Sequence, residues 1–365
     1  MTKALSLIVL FFVSNVYFCN AQEIMLNLTP QPEFINSSIY EIAEVHDTRP
    51  QSEKIGLVYR EGNKMVNARF PNSLAHELQN YFSNSIQSRN PQLQKIIVKI
   101  EKYDLVENLN SNQIVEGELK IKFGFYAKGS FDPVHLLDFE GGMSYKRSKN
   151  RVDLIQNVIQ QASENALKYF DQWINSQAMT NRSLANKVRL EVNQPILKSS
   201  SDTVFYNSKR GLGWQDFTAK PHAINKYNAL IFTSLSMEGK PYVEDATIVL
   251  PLIIKVYMLP DQSWVKNKDD YSLNHEQRHF DVTKVVGDRL QYKLKKLDLN
   301  PENYEGLVNS AYLDAYREMS LLQKLYDSQT NHGRDASMQA KWNRYLDDAL
   351  QGDWKNIETI ISEKM

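Results

Sequence analysis

Cysteine is all but missing from this chain, and its one copy, Cys19, stands near the start of 365 residues. Past that position a thiol nucleophile is excluded, and the fold must hold without disulfides. An excess charge of either sign is missing too. Lys plus Arg and Asp plus Glu both number 43, so no strong field draws in nucleic acid or anionic lipid. Beyond the first twenty or so residues there is no long apolar run, which excludes a polytopic membrane protein. Internal repeats, low-complexity tracts, glycine-rich phosphate loops and a Ser-His-Asp signature are likewise absent. What remains is a chain 42% hydrophobic and 24% charged, enough apolar material for one large core or two ordinary ones.

The apolar run at the start has its own grammar. Lys3 gives a short positive region, and Ala4 to Val13 form a hydrophobic stretch too short to span a bilayer. Cys19-Asn20-Ala21 then places small residues three and one before Gln22. This predicts a signal peptide over 1–21, export to the periplasm or beyond, and a mature chain free of cysteine. Bulky Tyr17-Phe18 ahead of Cys19 disfavours an outer-membrane lipoprotein, which wants small residues there.

Hydrophobic spacing predicts an α+β protein of two domains. Residues 22–176 read as a small sheet with two covering helices. Alternation around Ile39–Ile42, Ile96–Ile100, Leu119–Phe123 and Val134–Phe139 gives the strands. One helix carries Leu74, Leu78, Tyr81, Phe82 and Ile86, opened by Pro71-Asn72-Ser73, and a second runs from about Asp153 to Asn175. Residues 177–200 are polar and read as a connector. Residues 201–350 form the second domain, with strands at Ala229–Ser236 and Ile248–Leu259 ahead of two long helices, near Asp270–Leu297 and Pro301–Ser328. A shorter helix follows around Met338–Leu350, and 351–365 reads as a tail.

Chemistry concentrates in His275-Glu276-Gln277-Arg278-His279. On a helix, positions i and i+4 lie about 40° apart, so both imidazoles face the same way and can share one metal. Glu276 falls beside that line, placed to polarise a water rather than to bind the metal. Val282, Val286, Leu290 and Leu297 continue the histidine face, while Gln277, Asp281, Lys284 and Asp288 occupy the other side. On that spacing Asp281 reads as half of a surface charge pair with Lys284. The bland alternative is two core histidines bonded to backbone carbonyls. Gly287 in mid-helix suggests a close contact. His46, His76, His135 and His222 lie outside any ligand spacing, and Trp214 and Trp264 read as core or groove-lining aromatics.

A catalytic zinc needs a third protein ligand and an open position. Spacing leaves three candidates: Glu318 on the second long helix, and Asp327 and His332 at its end. Four elements in order, Trp214-Gln215-Asp216-Phe217, Ser263-Trp264, His275 to Asp281, and Tyr326-Asp327-x-x-Thr330-x-His332-Gly333, resemble the bacterial family catalogued as domain of unknown function 922, described as predicted secreted zinc-dependent proteases. The resemblance covers about residues 201–345. It implies that the second segment belongs to the site, with His332 as third ligand ahead of Asp327 and Glu318, and that Asp281 is a supporting anchor.

The expectation is therefore an exported protein with a zincin-like metallopeptidase domain. His275, His279 and His332 bind Zn²⁺, Glu276 acts as general base, Tyr326 is a candidate oxyanion donor, and a peptide or protein is the substrate. The alternatives are a non-catalytic envelope protein with a structural zinc site and a zinc hydrolase of a non-peptide amide.

Overall fold

A computed structural model describes residues 23–363 apart from 33, 53, 89–92 and 222–226. The expected signal peptide, Cys19 and His222 lie outside those residues. The architecture is mixed α and β, and the chain divides into two compact units, Met1–Ser176 and Gln177–Met365.

The first unit opens with strands β1 (Ile24–Met25), β2 (Ile35–Ser37), β3 (Tyr40–Asp47), β4 (Gly56–Tyr59) and β5 (Met65–Arg69). Helix α1 (Leu74–Ser85), β6 (Ile86–Ser88), three long strands β7 (Gln94–Leu109), β8 (Val115–Ala127) and β9 (Val134–Arg147), and helix α2 (Asp153–Gln177) complete it. β7, β8 and β9 form an antiparallel meander. Both β3 and β4 run parallel to β7, and β5 and β1 extend the sheet to seven strands. Along β8 the buried residues alternate as the sequence does, from Val115 through Leu119 and Ile121 to Phe123 and Phe125. Helices α1 and α2 cover that face: Phe82 meets Phe123 at 6.1 Å and Phe170 stacks on Phe125 at 4.2 Å. Ser73 caps α1 by accepting from the His76 N–H. Fully buried Arg147 and Glu107 pair through two bonds of 2.8 Å. The bidentate contact, with Tyr145 Oη donating to Glu107 as well, offsets the cost of burying both charges.

The second unit contains strands β10 (Lys187–Asn193), β11 (Val204–Phe205), β12 (Ala229–Leu230), β13 (Thr233–Glu238), β14 (Tyr242–Glu244), β15 (Thr247–Met258) and β16 (Trp264–Val265). Helices α3 (Asp270–Leu294), α4 (Tyr304–Gln329), α5 (Ala336–Leu350) and α6 (Lys355–Ser362) follow. Apolar, β-branched β15 is the centre of a five-stranded sheet. β10 runs parallel to it, and β13 and β14 run antiparallel. The gap between β13 and β14 lies opposite Pro251, which has no N–H to offer the ladder. No helix among the described residues is long and apolar enough to cross a membrane.

Two stretches placed outside the second domain by composition belong to its core. Residues 177–200, expected as a connector, hold β10, which pairs with β15 from Lys187↔Thr247 to Asn193↔Ile253. Its outward face is Lys, Arg and Glu, so the segment reads as polar although Val192 is buried. Residues 351–365, expected as a tail, hold α6, which buries Ile357 in the same apolar cluster as Val286 and Trp342.

Candidate metal centre

Helix α3 starts where Asp269 accepts a bond of 2.7 Å from the Ser272 N–H. Its later turns bury Val282, Val286, Leu290 and Leu294. A Cβ built on Gly287 would meet Val256 Cγ2 at 2.9 Å, so glycine lets the helix lie close on β15. His275, Glu276 and His279 are thereby held on a fixed surface, each less than a tenth exposed.

The two imidazoles converge on one carboxylate oxygen. His279 Nε2 lies 3.1 Å and His275 Nε2 3.4 Å from Asp327 Oδ1, at the end of α4. Zinc bonds of about 2.0–2.1 Å at tetrahedral angles place ligand atoms about 3.3 Å apart. The separations match that spacing, and two imidazoles with one carboxylate are a donor set that can hold a metal ion. Among the described residues, His275, His279 and Asp327 are the group whose ligand atoms all lie within 4.8 Å of one another. His332, expected as third ligand, stands outside that group. It is 40% exposed, with Nδ1 3.4 Å from Asp327 Oδ1 and its ring 4.7 Å from Tyr227. Glu318 is turned elsewhere and pairs with Arg289 at 2.6 Å.

The segment after Asp327 explains the Thr-x-His-Gly pattern. Asn331, His332 and Gly333 all have positive φ, at 49°, 52° and 76°, a costly sequence for two residues that carry a Cβ. Buried Thr330 holds the turn: its hydroxyl donates to the Tyr326 carbonyl at 2.7 Å and accepts from the Gly333 N–H at 3.3 Å. The His332 N–H donates to the Asp327 carbonyl at 2.8 Å.

Burial pushes Glu276 above the usual carboxylate range, while the charges of His279 and His275 oppose it. Desolvation pulls His279 down, but the bond to Asp327 and the charges of Glu276 and Asp327 outweigh it and hold the imidazole above its ordinary value. Burial works against ionised Asp327 as well, yet bonds from His275 and His279 keep it below the ordinary carboxylate range. These groups line a cleft of about 740 Å³ bounded by Tyr227 to Thr233 on one side and His332 to Arg334 on the other.

Tyr326 does not line this cleft. Its fully buried hydroxyl donates to the His275 carbonyl at 3.3 Å and bonds to Gln339, so it is spoken for and is no oxyanion donor. Its ring lies under both imidazoles, 4.8 Å from each. Asp281 departs from the surface position that helical spacing gave it. It is 3% exposed and accepts from Tyr206 Oη, Gln277 Nε2 and Arg278. The segment carrying Tyr206 and Leu212 folds over this side of α3, with the Leu212 N–H donating to Gln277. Lys284 pairs with Asp288 instead. Trp264 is buried as expected of a core aromatic. Sequence reasoning missed Gln323 and Gln339, which bond to Nδ1 of His279 and His275. The available signal was a glutamine in an otherwise apolar stripe: Gln339 stands in line with Trp342, Leu346 and Ala349, all buried.

No family model and no curated protein matches the chain. Among solved structures, a Xanthomonas campestris protein of family DUF330 is similar over 43% of this chain and 98% of its own, with 9% identity and a TM-score of 0.30. An uncharacterized protein is similar over 41% of this chain and 99% of its own, with 10% identity and a TM-score of 0.27. Likeness at this level leaves the chemistry to be read from the residues themselves.

Proposed function

We propose that the C-terminal unit is a zinc-dependent peptidase of the zincin type, with His275, His279 and Asp327 as metal ligands and Glu276 as the proton-handling group. The observation that carries this reading is the convergence of both Nε2 atoms on Asp327 Oδ1 at the floor of a cleft. When bound, zinc supplies a Lewis acid for the scissile carbonyl and makes a water acidic near neutral pH. Glu276 takes the proton of the attacking water and hands it to the leaving amine, a role suited to a carboxylate whose affinity for protons is raised. The resemblance of residues 201–345 to family 922 implies a zinc-dependent protease as well, with His332 in the place that this proposal gives to Asp327.

A peptide substrate is favoured by the strand beside the cleft. The Asn228 carbonyl accepts from Lys266 and the Phe232 N–H donates to Ser263, both toward β16. By antiparallel alternation the backbone groups of Ala229 and Ile231 face the other way, and both residues line the cleft. An extended peptide can add to such an edge. We place the activity outside the cytoplasm, on the strength of Lys3, the Ala4 to Val13 run and the small residues before Gln22.

The test is hydrolysis of a mixed peptide library, read by mass spectrometry. Zinc-loaded wild type cleaves, and Glu276→Gln keeps its zinc but loses about 10²–10⁴-fold of the rate. Equal rates for the two proteins defeat the mechanism. A second reading, a structural zinc closed by His332, draws on the 3.4 Å between His332 Nδ1 and Asp327 Oδ1. X-ray absorption showing four protein ligands and no exchangeable oxygen, together with no cleavage, would favour it.

A further inference from the structure

The two histidines are each gripped from behind by a neutral amide. His275 Nδ1 lies 2.9 Å from Gln339 Oε1, and His279 Nδ1 bonds to Gln323 Oε1. The orientation of Gln323 is decided by its other end. Its Nε2 is 2.8 Å from the His279 carbonyl, which can only accept, and it also reaches Thr283 Oγ1 at 3.1 Å. The amide oxygen must therefore face the imidazole, so Nδ1 carries a hydrogen, and Nε2, which donates to Asp327 Oδ1 at 3.1 Å when no metal is bound, is the nitrogen left to offer a lone pair to a metal. Gln339 holds His275 in a similar way, but its other partners can donate or accept: Nε2 lies 2.9 Å from Asn343 Oδ1 and 2.6 Å from Tyr326 Oη, and Oε1 is 2.9 Å from the same hydroxyl. Gln339 is 2% exposed.

We infer that Gln323 and Gln339 are positioning residues that fix which nitrogen each histidine offers to the metal, and that they do so without adding charge. The inference rests on the metal reading above. A ligating histidine commonly leans on a carboxylate or a carbonyl, which orients the ring and makes it more basic. Here Asp327 is the sole anion among the three ligands, so two neutral imidazoles and one carboxylate leave a divalent ion with net positive charge. Amides at both Nδ1 atoms preserve that charge, and with it the pull on a substrate carbonyl. The two positions are not equivalent. A glutamate at 323 would set an oxygen against the His279 carbonyl, which is fixed in the helix, whereas at 339 both neighbours can adapt, the Tyr326 hydroxyl by donating and the Asn343 amide by turning its Nδ2 inward.

The experiment measures the zinc dissociation constant by chelator competition and the visible spectrum of the Co²⁺ form, on the full-length mature protein. Gln323→Leu and Gln339→Leu should each weaken zinc by about 10–100-fold and alter the Co²⁺ bands, while the metal-free proteins keep wild-type circular dichroism. Gln339→Glu should hold zinc at least as tightly as wild type, and Gln323→Glu should lose affinity as the leucine variant does. The two glutamate variants need no repacking and decide the matter even if a leucine variant unfolds. Equal zinc affinity for both glutamate variants, or wild-type affinity in folded leucine variants, overturns the inference alone. Absence of zinc from wild type overturns it together with the metal reading.

Discussion

Gly333 lies against the ring of His275: a Cβ built on it would sit 3.2 Å from both Cγ and Nδ1 of the imidazole. The glycine also has φ +76°, a conformation that costs an L-residue roughly 1–2 kcal/mol. One small residue thus serves both the turn and the seat of the His275 ring. Gly333→Ala should lower thermal stability by about that strain, and it should also weaken zinc by displacing His275. A variant with reduced melting temperature but unchanged zinc affinity would show that the glycine serves the turn alone.

Asp327 and His332 make opposite forecasts for metal content. Asp327→Ala removes the oxygen on which both imidazoles converge, and elemental analysis after dialysis should find it stripped of zinc. His332→Ala, altering a ring that is 40% exposed at the rim, should keep zinc near one equivalent. The reverse result would return His332 to the ligand set.

The metal-free protein should show a pH window set by the same groups. Asp327 is held low by His275 and His279, so its contribution is present above the unfolded carboxylate value of about 3.9 and lost as pH falls through the depressed folded value. His279 is held high by Asp327, so its contribution is present below the unfolded value of about 6.5 and lost as pH rises through the raised folded value. Both are in force between about pH 4 and about pH 6.5. Melting temperatures of metal-free wild type and Asp327→Asn should differ most there and converge on either side. A difference that instead grows steadily to pH 9 contradicts the assignment. Partial exposure of Asp327 keeps the effect modest and sensitive to salt.

The place of β10 and α6 can be tested by fragments. A piece spanning 177–363 should melt cooperatively. One spanning 201–350 loses buried Val192 and Ile357, each worth roughly 1.5–3 kcal/mol, along with a ladder on β15. It should melt well below the longer piece or fail to fold. Equal stability would mean that the strand and the helix are dispensable.

Local spacing alone determined a good part of this protein. Period-two alternation marks β8 and period-3.6 stripes mark α1 to α4, because a strand or helix half-buried on a core must place apolar residues where geometry turns them inward. His275 and His279 share a face for the same reason, four residues apart on one helix. What completes the histidine pair lies beyond any local rule. Asp327 and His332 are five residues apart, and only the left-handed turn through Asn331, His332 and Gly333 decides which group meets the histidines. Asp281 looks solvent-facing on a helical wheel and is buried because a distant segment, Val204 to Phe217, folds over it. The polar composition of residues 187–193 hides a strand, since a ladder with one exposed face is compatible with charges at every other position. Gln339 stands out only as a glutamine on an apolar stripe, and packing alone brings it to His275 and Gln323 to His279. A single helix carries the histidine pair in its sequence, but convergence of groups from three helices is a property of tertiary packing, and no spacing along the chain encodes it.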